Sequence, residues 1–124
     1  ETRRGYRNFS GCGNTMNCNH PILRNFILDC LQYWVMEMHV DGFRFDLATI
    51  LGRRSDGYSK GHPLLMAISN DTRLANAKLV AEPWDTGGLH LTGRFPGHGF
   101  AQWNDRFRDA AVERIVREVD RSHG

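Results

Sequence analysis

Lysine is nearly missing from this chain: Lys60 and Lys78 are the only two, and arginine supplies the rest of the 16 basic residues. Set against 14 acidic residues they leave a net charge of +2, scattered apart from small clusters such as Arg3-Arg4 and Arg53-Arg54. Nucleic-acid-binding proteins gather their basic residues on one face, so no nucleic-acid partner is expected. Long apolar runs are missing too. The most apolar stretch is broken by Arg24, Asp29, Gln32 and Glu37, well short of the roughly 18 residues of a membrane helix, and no membrane partner is expected. The cysteines are few and odd in number, Cys12, Cys18 and Cys30, which favours free thiols in a reducing compartment. No C-x-x-C pair exists, and Cys12, Cys18 and His20 would need a fourth ligand, so no metal is expected. No G-x-G-x-x-G turn or phosphate loop follows either expected strand, and no cofactor is expected. The opening residues ETRRGYRN lack both an initiator Met and the apolar core of a signal peptide, and the chain reads as a piece of a longer protein.

What is present is a soluble, globular pattern, 40% apolar, without internal repeats or low-complexity tracts. Residues 6–19, rich in Gly, Asn and Ser, read as an ordered loop. Pro21 suits a first helical position, capped by Asn19 or His20, and Ile22, Leu23, Phe26, Ile27, Cys30, Leu31, Trp34, Val35 and Met38 form one apolar face, predicting a helix over 21–38 with Trp34 in the core. The period then drops to two, with Val40, Phe43, Phe45 and Leu47 alternating with Arg44, Asp46 and Ala48, a short strand. A Gly-rich loop over 52–61, a helix from Pro63 to about Ser69, a strand over 78–82, a long irregular segment containing Gly87 to Gly99, and a helix near 106–120 follow. This order is alternating α/β with parallel strands joined by crossovers. Asp46 and Glu82 then fall at the C-terminal ends of neighbouring strands, where both barrels and open α/β sheets place their sites.

Two carboxyl groups so placed suit retaining glycoside hydrolysis, in which one attacks the anomeric carbon and the other protonates the leaving oxygen, about 5 to 5.5 Å away. Parallel strands about 4.8 Å apart allow that separation. Arg44 lies two residues before Asp46, hence on the same face, where its charge favours the ionised nucleophile; the corresponding neighbour of Glu82 is Val80, an apolar setting that favours the neutral acid. Asp46 paired with Arg44 as a structural ion pair, and Glu82 as a solvated strand end, are equally open on spacing alone. Trp84 and Trp103 could stack on sugar rings, although a Trp is more often core. Asp85, His20 and His98 lie near the expected open end, where each could bond a sugar hydroxyl, cap a helix or close a turn. Asp105, Arg106, Arg108 and Asp109 read as surface ion pairs or a helix start.

The strings GCGNTMNCNHP, HVDGFRFDLATILGR, AEPWDTGG and QWNDRFRD, in that order from about Asn8 to Ala110, resemble the central part of isoamylase-type debranching enzymes of the α-amylase superfamily, glycoside hydrolase family 13. The N-C-N-H-P string is closer to the plant and algal forms. The resemblance implies a partial (β/α)8 barrel of about two strands with flanking helices, residues 1–124 being an incomplete central segment of the catalytic domain. It implies Asp46 as nucleophile, Glu82 as general acid/base and Arg44 as the arginine beside the nucleophile; Trp84 and Asp85 join Arg44 as candidate substrate contacts on their place near the open end alone. The implied substrate is a branched α-glucan, amylopectin or glycogen, cleaved at α-1,6 linkages with retention. A homo- or hetero-oligomer with other isoamylase subunits is the implied assembly, in the plastid of a plant or alga and otherwise in the cytoplasm. Gln102 stands where the family usually has Glu, and the family's third catalytic carboxylate belongs to a later strand. These 124 residues alone are therefore expected to be inactive. The alternative is a non-catalytic isoamylase-like subunit that binds glucan or assembles with an active partner.

Overall fold

Proline opens two of the helices. The computed structural model describes residues 5–96 and 99–122; the expectations for Arg3, Arg4 and His98 lie outside them. In α1, Pro21–Met36, the Pro lacks an N–H at a position that has no partner for one, and His20 caps the helix by accepting from the Ile22 N–H at 3.3 Å. The helix stops two residues before the expected Met38, because the Glu37 and Met38 amides both turn back onto the Tyr33 carbonyl and His39 enters the left-handed region at φ 56°. Helix α2, Pro63–Asn70, repeats the device, with His62 accepting from the Leu64 N–H at 3.2 Å.

Between the helices lie strand β1, Gly42–Phe45, a 3-10 turn over Ala48–Gly52, and a small hairpin of β2, Arg53–Arg54, with β3, Gly57–Tyr58. The hairpin occupies what the sequence predicts as open loop. After α2 come a second 3-10 turn at Thr72–Leu74, strand β4, Lys78–Ala81, strand β5, Phe100–Gln102, and helix α3, Asp105–Ser122. The sheet runs β1-β4-β5, all parallel, with Phe45 opposite Ala81 and Ala81 opposite Gln102. Gly42 lies against the Lys78 carbonyl with no room for a Cβ. The expectation of about two strands is thus corrected to three. Residues 100–102 are too few to show a period of two, and they follow a Gly-rich segment.

The two faces of the sheet differ. Phe43, Phe45, Leu79, Ala81 and Phe100 point to the side of α1 and α2 and join a core with Cys18, Leu31, Leu64, Leu65 and Ile68. Phe45 and Phe100 meet at 5.5 Å between ring centroids. The alternate residues Arg44, Val80 and Ala101 face the other way, where Arg44 and Ala101 are exposed. Trp34, predicted as core, is 48% exposed. It lies beside Tyr33 at the edge of the buried stripe, which centres on Leu31. No residue of α3 is buried among those described.

His62 is buried, and its ring nitrogens have fixed roles. Nδ1 accepts from Leu64, so Nε2 carries the proton and donates to Asn19 Oδ1 at 3.2 Å. Burial, with Arg24 and Arg54 nearby, pushes the imidazole below its ordinary value of 6.5. A folded-state pKa below the unfolded one means that the unfolded chain binds the proton first as pH falls. The stabilisation is therefore present above about pH 6.5 and is lost below it. Thermal melts of the full-length protein should fall more steeply between pH 7 and 5.5 for wild type than for His62→Asn, which keeps a capping oxygen without the titration; equal slopes would refute this.

Candidate active site

The register of the sheet sets the site. Phe45, Ala81 and Gln102 are paired neighbours that end their strands, so the next residue of each, Asp46, Glu82 and Trp103, stands at one level past the sheet. These three share the pleat direction of Arg44, Val80 and Ala101, the face the helices leave open. Arg44 lies between the two carboxylates: one terminal nitrogen is 3.1 Å from Asp46 Oδ1 and the other 3.2 Å from Glu82 Oε1. The expectation that Glu82 has only an apolar neighbour is corrected here, because a basic group reaches it from the adjacent strand, a cross-strand contact that offsets along one strand do not reveal. The side chain of Asp46 is 73% exposed and that of Glu82 12%. One carboxylate is presented outward while the other is lodged at the sheet end.

The turn after β1 secures Glu82. Leu47 adopts a left-handed conformation, φ 46° and ψ 50°, a costly state for a bulky residue and one that is concentrated at functional sites. In that conformation its N–H donates to Glu82 Oε2 at 2.9 Å, and the Ala48 N–H donates to the Glu82 carbonyl at 2.8 Å. Trp103 lies over the guanidinium of Arg44, 4.2 Å from carbon to ring centroid.

Asp85, a candidate to bond a sugar hydroxyl, cap a helix or close a turn, is turned into the protein. Its side chain is fully buried and both oxygens are occupied. Arg53 binds it through two parallel bonds of 2.8 and 2.7 Å, Thr49 donates at 2.6 Å, and the Gly87 N–H donates at 2.8 Å. Desolvation opposes ionisation of Asp85, yet the hydrogen bonds from Arg53 and Thr49 and the Arg53 charge hold it below its ordinary value of 3.8. Phe9 stacks on the other face of Arg53 at 3.9 Å, and Asn19 donates to the Arg53 carbonyl at 2.9 Å. Asp85 thereby fastens the early loop and the segments after β1 and β4 to one another. A Cβ at Gly87 would lie 2.5 Å from the Phe9 ring and 2.7 Å from Arg53, so only glycine fits. Sequence reading missed Thr49 and Arg53; the one hint was the Arg53-Arg54 pair where the largely apolar run 47–51 gives way to a polar loop.

Trp84 stacks on His90, 5.7 Å between centroids and 13° from parallel. His90 in turn meets Asp105 at 2.8 Å, and Thr92 donates to the same carboxylate at 3.0 Å. Asp105 is thus tied to the preceding loop as well as starting α3. Gln102 accepts from the Gly93 N–H at 2.8 Å. A concavity of about 630 Å³ lies between the early loop and the hairpin, lined by Phe9, Asn19, Arg53 and others, and neither carboxylate of the pair lines it. No group of three or more metal-ligating side chains is found among the described residues.

Known proteins carry the same arrangement of sequence. The chain is 55% identical over 82% of its length to isoamylase 3, chloroplastic, of Oryza sativa subsp. japonica, and 46% identical over 93% to isoamylase 1, chloroplastic, of Arabidopsis thaliana. It is 52% identical over 84% to a glycogen debranching enzyme of Pectobacterium atrosepticum. The chain is thus homologous to part of isoamylases and of glycogen debranching enzymes. It spans only 13 to 17% of the length of these relatives. Among solved structures, a pullulanase from Bacillus acidopullulyticus matches with a TM-score of 0.64 at 36% identity, covering 85% of this chain and 13% of the pullulanase. No protein-family model matches the chain. Within the isoamylase-type sequence, Asp46 and Glu82 come together around Arg44, whereas Trp84 engages His90 and Asp85 is committed to Arg53 and Thr49.

Proposed function

We propose that the isoamylase-type protein containing this chain hydrolyses α-1,6 branch linkages of amylopectin or glycogen with retention, Asp46 acting as nucleophile and Glu82 as general acid/base. The observation that carries this reading is the pairing of Asp46 and Glu82 at the C-terminal ends of adjacent parallel strands around one arginine. Glu82 donates its proton to the glycosidic oxygen as an Asp46 oxygen bonds to the anomeric carbon, releasing the inner chain with its 6-hydroxyl and leaving the outer chain bonded to Asp46. Glu82 then takes a proton from water, whose oxygen displaces Asp46 and restores the original anomeric configuration. Arg44, 3.1 Å from Asp46 Oδ1, orients the nucleophile. The three parallel strands, with helices on one face and carboxylates at one end, support their being staves of a (β/α)8 barrel whose interior is the open face. On this reading residues 1–124 form a central segment of the barrel domain. The chloroplastic relatives support a plastid location if the source is a plant or alga, with the cytoplasm as the location otherwise; assembly with other isoamylase subunits belongs to the same reading.

The test uses the full-length protein with amylopectin and, as control, unbranched amylose. Linear chains should be released from amylopectin alone, and proton NMR should show the α-anomer forming first. A β-anomer would overturn retention. Binding of amylopectin without release of chains would favour the non-catalytic glucan-binding subunit instead.

A further inference from the structure

The residue that follows the third strand covers the group that joins the two carboxylates. Trp103 has its backbone N–H bonded to the Ala81 carbonyl at 2.9 Å, which fixes it beside the end of β4. From there its ring lies 4.2 Å from the Arg44 guanidinium carbon. Arg44 is 38% exposed, and an arginine at that exposure ordinarily samples several rotamers and loses much of its ion-pair strength to water. An aromatic face laid on the guanidinium removes water from one side and fixes its plane. In that plane the two terminal nitrogens reach Asp46 and Glu82 at once.

We propose that Trp103 is a positioning residue for the reaction, acting through Arg44 to hold the guanidinium between nucleophile and acid/base. The proposal rests on the roles given above to Asp46 and Glu82. It differs from a sugar platform, since a ring stacked on substrate would govern binding rather than the orientation of Arg44. A ring half exposed, at 48%, is also too open to serve mainly as core packing.

The experiment measures kcat and KM of the full-length protein on amylopectin, together with its melting temperature. Loss of a cation–π contact of about 0.5 to 2 kcal/mol corresponds to a rate loss of about 2- to 30-fold. Trp103→Leu, apolar and without a π face, should lower kcat about tenfold with KM and melting temperature little changed, while Trp103→Tyr should recover most of the rate. In an Arg44→Lys background, which removes the planar fork, Trp103→Leu should cost little more, because the two residues act as a unit. A raised KM with unchanged kcat would overturn the proposal in favour of substrate stacking. Additive losses in the double variant, or a fall in melting temperature that accounts for the rate, would overturn it in favour of a structural role. Asp46→Asn and Glu82→Gln are assayed alongside: if they remain active, the underlying reading fails, and if they are inactive while Trp103→Leu equals wild type, the inference about Trp103 alone fails.

Discussion

Glu82→Ala in the full-length protein should lower debranching by about 10⁴-fold, near the upper end of what a positioned acid/base supplies. Asp46→Ala should lower it at least as far, because no covalent intermediate can form. Loss of activity alone would not separate the two roles, whereas added azide does. In Glu82→Ala the glycosyl–Asp46 intermediate can still be attacked by azide from the face the leaving group vacated, giving a product of retained, α, configuration. In Asp46→Ala azide can enter only where the carboxylate was, opposite the leaving group, and the product is inverted to β. NMR of the two azide products distinguishes them. Products of the opposite pairing would exchange the assignments of Asp46 and Glu82, and an unimpaired variant would remove that residue from the chemistry.

Asp85→Ala should be the most destabilising substitution in this region, by about 3 to 5 kcal/mol, the usual loss when one member of a buried ion pair is removed. The loss is large because Arg53 would keep its charge, with its partner gone and Phe9 stacked on it, and Thr49 would lose its acceptor. Replacing both partners by apolar residues, Asp85→Leu with Arg53→Met, should cost clearly less than the sum of the single changes. Denaturant unfolding of the full-length variants, compared with wild type, measures this, and simple additivity would refute it. The pH dependence of the same pair is distinct from that of His62. The Asp85 pKa is lowered in the folded state, so its stabilisation is present above about 3.8, the ordinary value, and is lost as pH falls through the lower folded one. Melts should therefore show two separate losses, one beginning near pH 6.5 and the other only in strong acid.

Much of this was legible in the sequence because the signals were local. Pro21 and Pro63 marked helix starts, the alternation around Phe43 and Phe45 marked β1, and ordered acidic strings pointed to Asp46 and Glu82. What was illegible depended on contacts between segments far apart in sequence. Nothing in DGFRFD reveals that Arg44 reaches Glu82, 38 positions on, because that contact exists only once β1 and β4 are paired. The pairing of Arg53 with Asp85 is hidden for the same reason. Strand β5 was hidden by brevity, and the exposure of Trp34 by a periodicity that identifies a helix face without saying how much of it is covered. For Asp85 the string left a sugar hydroxyl, a cap and a turn bond open, and the choice among them depended on Arg53 and Thr49, which reach it only in the folded chain.

The common level at which β1, β4 and β5 end makes strand length a ruler for the chemistry. Successive residues of a strand point to opposite faces, so one residue added to or deleted from Gly42–Phe45 or Lys78–Ala81 would turn a carboxylate toward the helices rather than lengthen its reach. The connections beyond residues 48 and 86 are held instead by side-chain contacts, Asp85 with Arg53 and Thr49 and Asp105 with His90 and Thr92. A change of length is therefore absorbed more readily in the connections than within the strands, where each residue sets which face the next side chain takes.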